Sequence, residues 1–320
     1  MVMFRLLSKM SFYLVLSLMI LELLVRAFHL YNDRPLRFVD EDSLNKWVPG
    51  QQGYSVYGNR RQVFAKYRIN ESGYNSYREF TPTKEGVEVA LIGDSFIEGF
   101  HQDFDNSIGK KMEDDLNGIE VYEYGHSAYD LADQLYTIYK HQEEFGLIDY
   151  IIISIRYTDD LTRNEYAHIN RQPGYTFLKH SKLMVYLQDI GLLDPVKKMV
   201  ATISSIRNGK TGNKEEVQDK IDRDSLYIQN FESLTDKYGL EKNKTAFLLD
   251  GSITSDRFLR YLNNNNIKYI DYSKSFTKDD SPKTLIYDQH WNNLGRTLIA
   301  KLISNKIEEE FGLMDLKIQP

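Results

Sequence analysis

The chain has 320 residues, of which 42% are hydrophobic, 27% charged and 13% aromatic, the fractions of a globular protein, which exclude a disordered, collagen-like or coiled-coil chain. Its 40 basic and 46 acidic residues give a net charge of −6, which leaves no basic excess to hold a nucleic-acid backbone. The lack of any cysteine excludes a disulfide scaffold, a thiolate zinc site and a cysteine nucleophile together.

Residues 1–9 carry Arg5 and Lys9 and no acid, and Met10–Leu21 is almost wholly apolar before Glu22 interrupts it. A basic flank ahead of an apolar run is the layout of a secretory signal or a signal anchor. No small-x-small cleavage site follows, so residues 1–30 read as an uncleaved transmembrane anchor. The competing readings are a removed signal and an amphipathic helix packed on the domain. Positive charge on the N-terminal side places that end in the cytoplasm and everything after about residue 30 outside it.

Residues 31–85 are polar and aromatic without sustained periodicity, which predicts an irregular lead-in. From residue 86 to 320 the texture is that of one domain. Short apolar runs at 87–92, 120–124, 150–155, 245–250 and 267–271 predict strands, and 150–155 (TyrIleIleIleSerIle) is the continuous β-branched kind that is buried on both faces. Helical spacing lies between them at 105–117, 131–145 and 255–262, and a last helix spans 292–311. Alternating strands and helices predict an α/β fold, a three-layer α/β/α sandwich around a five-stranded, mostly parallel, flavodoxin-like sheet. The alternation lapses at 161–244, which reads as an insertion with helices at 182–190 and 215–238 and a polar linker at 205–214, forming a lid or substrate-side cap.

In a parallel sheet, function sits where strands end and helices begin. Four segments end there: 93–96 (GlyAspSerPhe), 124–127 (TyrGlyHisSer), 157–160 (TyrThrAspAsp) and 288–291 (AspGlnHisTrp). Ser95, after a strand and ahead of a helix, can expose its hydroxyl near unpaired backbone N–H groups that stabilise an oxyanion. Serine needs a base, and a histidine base needs a partner to fix its tautomer. Of the seven histidines, only His290 has an acid two residues earlier, Asp288, and a helix start just after. Residues two apart in an extended segment point the same way. The order Ser95, Asp288, His290 and the isoleucine at position 97 argue against the α/β-hydrolase scheme with its Gly-x-Ser-x-Gly turn.

The blocks 89–99 (ValAlaLeuIleGlyAspSerPheIleGluGly), Gly125 and 288–295 (AspGlnHisTrpAsnAsnLeuGly) resemble those of SGNH/GDSL-type serine hydrolases, and 68–75 (ArgIleAsnGluSerGlyTyrAsn) resembles a lead-in of membrane-anchored bacterial members. The resemblance covers about residues 64–304 without the insertion. It implies Ser95 as nucleophile, His290 as base, Asp288 as its acid, and an oxyanion hole formed by the N–H groups of Ser95 and Gly125 with the side chain at 159. That last position departs from the family. An Asn-Asp pair is usual there, whereas this chain has Asp159-Asp160, and an ionised carboxylate cannot donate. A protonated Asp159, a donor from Thr158 or Asn164, or loss of hydrolase activity would each account for it.

The resemblance implies an extracytoplasmic, membrane-tethered serine esterase acting on acylated envelope polysaccharide or lipid, with no cofactor. The Asp-x-His-Trp form also resembles alginate O-acetyltransferase-like proteins, which would transfer the acyl group to a sugar hydroxyl. A catalytically inactive binding or assembly protein is the third reading. Tyr166, Tyr175, Phe177 and Tyr186 in the insertion could stack on sugar rings or simply pack. No metal is expected, because Asp159 and Asp160, adjacent on an extended chain, point to opposite faces.

Overall fold

The computed structural model of the chain describes residues 2–58, 61–170, 180–195 and 222–312. It divides into two compact units, Met1–Arg34 with Val56–Gln62 and Gln172–Asp219, and Pro35–Ser55 with Val63–Arg171 and Lys220–Pro320.

In the first unit, α1 (Val2–Ala27) contains a 25-residue stretch, Met3–Ala27, long and apolar enough to cross a membrane. At about 1.5 Å per residue it reaches beyond the roughly 30 Å of bilayer hydrocarbon. Its side chains are exposed from Met3 to Leu21. Glu22, an interruption in the hydropathy pattern, has a structural use. Its carboxylate accepts hydrogen bonds from Lys182 N (3.0 Å), Leu183 N (2.8 Å) and Ser181 Oγ (3.0 Å). These are first-turn donors of α6 (Lys182–Asp189), which have no partner within their own helix. Arg26 binds Glu22 and donates to the His180 carbonyl (2.9 Å). Val25, Tyr31 and Leu183 close a small apolar cluster around them, against which Tyr186 packs.

The second unit is built on a five-stranded sheet of β5 (Val87–Gly93), β6 (Ile119–Gly125), β7 (Tyr150–Ser154), β8 (Thr245–Leu249) and β9 (Lys268–Asp271). The spatial order is β6-β5-β7-β8-β9, and every neighbouring pair is parallel. This is the flavodoxin-like order. The alternation within β5 explains the layers. Ala90 and Ile92 face a core with Leu131 and Leu135 of α4 (Leu131–Lys140), Phe231 and Leu234 of α7 (Arg223–Tyr238), and Phe258 and Leu262 of α8 (Asp256–Asn264). Val89 and Leu91 face the other core, with Met112 of α3 (Ile108–Asp115) and Ile299 and Ile303 of α10 (Asn293–Phe311). Each such fully buried side chain contributes about 1.5–3 kcal/mol.

Three expectations change in the structure. The helix expected over 131–145 breaks at His141, giving α4 and α5 (Gln142–Leu147). The lead-in is not wholly irregular. β1 (Arg37–Val39) pairs with β2 (Asn45–Trp47), and β3 (Gln52–Tyr57) with β4 (Val63–Arg68). Val63, Ala65 and Tyr67 are buried while Phe64 and Lys66 are exposed, the two-residue period of a strand with one covered face. Of the expected insertion helix 215–238, the described part, α7, buries Tyr227, Phe231 and Leu234 against the sheet. It is therefore the crossover helix between β7 and β8 rather than part of a cap. The linker 205–214 and the start of that expected helix lie outside the described residues, as do Tyr175 and Phe177.

Candidate active site

Ser95 opens α2 (Ser95–Glu98), a single turn capped by Asp94, whose Oδ1 accepts from Phe96 N (2.9 Å). Two glycines allow that turn to sit against the sheet. Gly93 and Gly125 are register partners at the ends of β5 and β6. A Cβ on Gly93 would lie 2.5 Å from Ile97 Cγ1, and one on Gly125 would lie 2.1 Å from the Glu98 backbone nitrogen. Any side chain at 125 would push the Ser95 turn off the strand ends.

His290 arrives on the segment 284–291, closed by a bridge between Thr284 and Trp291 and by Leu285 N donating to the His290 carbonyl (2.9 Å). Asn292 caps α10 through Gly295 N (2.9 Å) and donates to the Pro282 and Thr284 carbonyls. Buried Arg296 donates to the Trp291 carbonyl (3.0 Å), with its pKa pushed down to about 9 by burial. This scaffold sets His290 Nε2 2.8 Å from Ser95 Oγ, and His290 Nδ1 against Asp288 Oδ1, which also accepts from His290 N (3.0 Å). Burial pushes the Asp288 carboxyl up, but hydrogen bonds from the backbone and ring of His290 outweigh it and leave the group below its ordinary value. Asp288 thus stays a carboxylate beside the imidazole.

Residues that the sequence did not single out complete the surroundings. His101 Nε2 lies 3.3 Å from Asp288 Oδ2, the oxygen that His290 does not use. Its ring stacks on His290 at 4.0 Å, and Phe96 stacks on His290 at 4.6 Å. Burial, then the His290 charge, pull the His101 pKa down to about 3, so this imidazole is neutral. Glu98 is buried and accepts from Trp47 Nε1 (2.7 Å), Ser127 N (2.9 Å) and the Ser127 hydroxyl. It ties the Ser95 turn to the segment after Gly125, and burial raises its pKa to about 7 against those hydrogen bonds.

The turn after β7 departs from expectation. Asp159 is 55% exposed and pairs with Arg156 at 3.3 Å. The burial that could keep a carboxyl neutral falls on Asp160, whose pKa is raised well above its ordinary value by burial and then by Asp94. The Thr158 carbonyl accepts from Tyr227 and the Asn164 carbonyl from Ser233. Tyr166 stacks on Tyr136 at 3.9 Å and donates to the Ser43 carbonyl, which is ordinary packing.

Among the described residues, His101, Asp288 and His290 offer metal-ligand atoms within 4.8 Å of one another. The two imidazoles are stacked with their planes 21° apart, and the row from Asp288 through His290 to the Ser95 hydroxyl is an arrangement that suits proton transfer.

No protein-family model matches the chain, and no curated protein matches it. Similar solved structures include a lipase/acylhydrolase from Enterococcus faecalis, 12% identical with a TM-score of 0.41, covering 70% of this chain and 96% of its own. A member of the lipolytic protein G-D-S-L family from Veillonella parvula is 13% identical, with a TM-score of 0.36 and coverages of 68% and 97%. A lipase from a goat rumen metagenome is 16% identical, with a TM-score of 0.33 and coverages of 68% and 96%.

Proposed function

We propose that this chain is a serine esterase of SGNH/GDSL type, in which Ser95 is the nucleophile, His290 the general base and Asp288 its orienting acid. The observation that carries the reading is the continuous row Ser95 Oγ, His290 Nε2, His290 Nδ1, Asp288 Oδ1. Ser95 Oγ attacks the ester carbonyl carbon while His290 Nε2 takes its proton, and the carbonyl electron pair moves onto oxygen. The N–H groups of Ser95 and Gly125 receive that oxyanion at the opening of α2 and the end of β6. Collapse expels the alcohol, protonated by His290, and water resolves the acyl-enzyme by the same route. The apolar α1 suits a membrane tether with the domain outside the cytoplasmic membrane, where acyl esters of envelope polysaccharide or lipid are the fitting substrates.

Trp291 is buried and packs on Phe96 and Tyr272 at 4.8 and 5.5 Å. Its place after His290 is explained by packing of the base-bearing segment, so the Asp-x-His-Trp form by itself builds no acceptor groove for transfer. Retention of all three members of the row favours an enzyme over a binding protein.

A serine-directed fluorophosphonate, followed by intact mass and peptide mapping, tests the reading. The expected result is a single adduct on Ser95, lost in Ser95→Ala and in His290→Ala. A folded wild type that takes no adduct would sink it. Adding oligosaccharide acceptors during turnover of an acyl donor separates hydrolysis from transfer, since acceptors speed only a transferase.

A further inference from the structure

Ile92 of β5 pairs in register with Ile153 of β7. Two and three residues further along, the chain therefore carries Asp94 and Ser95 on one strand end and Ile155 and Arg156 on its neighbour. Arg156 Nε lies 2.9 Å from Asp94 Oδ2, and Arg156 Nη1 lies 3.3 Å from Asp159 Oδ2. Its Cζ is 5.8 Å from the centre of the Phe96 ring, which stacks on His290. Nη2 is 4.0 Å from Asp160 Oδ1, beyond hydrogen-bond reach. Two carboxyl groups thus flank a guanidinium beside the Ser95 turn, yet 41% of its side chain remains exposed. A guanidinium has five N–H donors in one plane, and two contacts leave donors on both terminal nitrogens.

We propose that Arg156 donates to the oxyanion, taking the place that an asparagine amide holds in the resembling hydrolases, and that Asp159 is present to hold Arg156 there. The inference rests on Ser95 being the nucleophile. As the Oγ–carbon bond forms and the Ser95 proton passes to His290, the charge on the former carbonyl oxygen is met by an Arg156 N–H. The guanidinium keeps its protons throughout. When the C–O⁻ pair re-forms the carbonyl, the leaving alkoxide takes the proton from His290, and Arg156 releases the oxygen. An aspartate that looks like a lost donor then becomes the support of a charged one.

The test uses the full chain in detergent and a neutral ester, p-nitrophenyl acetate, which offers no anionic group to bind. Arg156→Gln should lower kcat by about 10²–10³-fold with KM unchanged, the usual effect of removing an oxyanion donor. Adding Asp159→Asn to that variant should recover at least about tenfold, because the amide can donate where the carboxylate could not. A kcat within about threefold of wild type in folded Arg156→Gln, a defect confined to KM, or a double variant no better than the single one would each overturn the proposal. If Arg156→Gln does not fold, Arg156→Lys carries the test. Its single ammonium cannot hold both carboxylates and reach the oxygen, so a loss of about tenfold is expected, and wild-type kcat overturns the proposal. Fluorophosphonate labelling of wild type separates the two readings. A wild type that never labels removes the esterase reading itself, whereas labelling at Ser95 with normally active Arg156 variants removes only this one.

Discussion

The turns after β5 and after β7 leave neighbouring parallel strands at the same edge, and they handle charge in opposite ways. The β5 turn is set by packing and carries one charge. Gly93 and Gly125 have no side chains, α2 lies close over the strand ends, and Asp94 caps Phe96 N with one oxygen while the other meets Arg156. The β7 turn gathers charge: Arg156 stands among Asp94, Asp159 and Asp160. One turn offers backbone donors whose place is set by packing, which only a backbone shift can change. The other offers side-chain donors whose place is set by ion pairs, which a single substitution can redirect. A site made from both has one rigid half and one adjustable half.

That contrast can be broken from the rigid side first. Gly125→Ala puts a Cβ into the Glu98 backbone, so a loss of about 3 kcal/mol is expected from overpacking, read as a fall in Tm together with loss of fluorophosphonate labelling. A variant that labels and melts like wild type would show that α2 is free to move. His101→Gln probes the support of the acid. His101 meets Asp288 and the face of the His290 ring, and would act through them as a positioning residue. Its removal should lower kcat by about tenfold with little change in KM and shift the acid limb of the pH–rate profile, which a purely structural role would leave in place.

A third test sharpens the comparison through pH. Burial raises the Glu98 pKa from 4.5 to about 7, so the folded chain keeps this proton between those values while the unfolded chain has released it. The folded state binds more protons there, and stability from this group falls as pH rises from 4.5 to 7, then levels off. Glu98→Gln should flatten that slope relative to wild type, by up to about 3 kcal/mol across the window. Chemical denaturation at several pH values measures it, and parallel profiles for the two proteins would contradict it.

The five strands were legible because each is a short apolar run bounded by polar turns, and β7 in particular is buried on both faces. Ser95, Asp288 and His290 stand out in the sequence through local order, a strand end and a two-residue spacing, and the structure brings the three side chains into one row. The paired strands of the lead-in were not, since β1 and β2 are each three residues long, too short for a period to register. The place of α7 was misread because a long stretch of chain separates it from β7, which looks like an insertion until its apolar face is seen on the sheet. His101, Glu98 and Arg156 reach the site through contacts between distant segments, for which no sequence spacing exists. Asp159 was noticed for what it lacks, while the partner that gives it a use stood three residues earlier.

The two rings stacked on His290 have a dynamic consequence. One face of an imidazole cannot hold both Phe96 and His101, so the base is gripped from both sides. On the proposed reading, a ring held in this way hands on the proton taken from Ser95 from the same atom, so the departing oxygen comes to Nε2. The rotational freedom of the base is given up once, when the chain folds, and none of it has to be lost again during turnover.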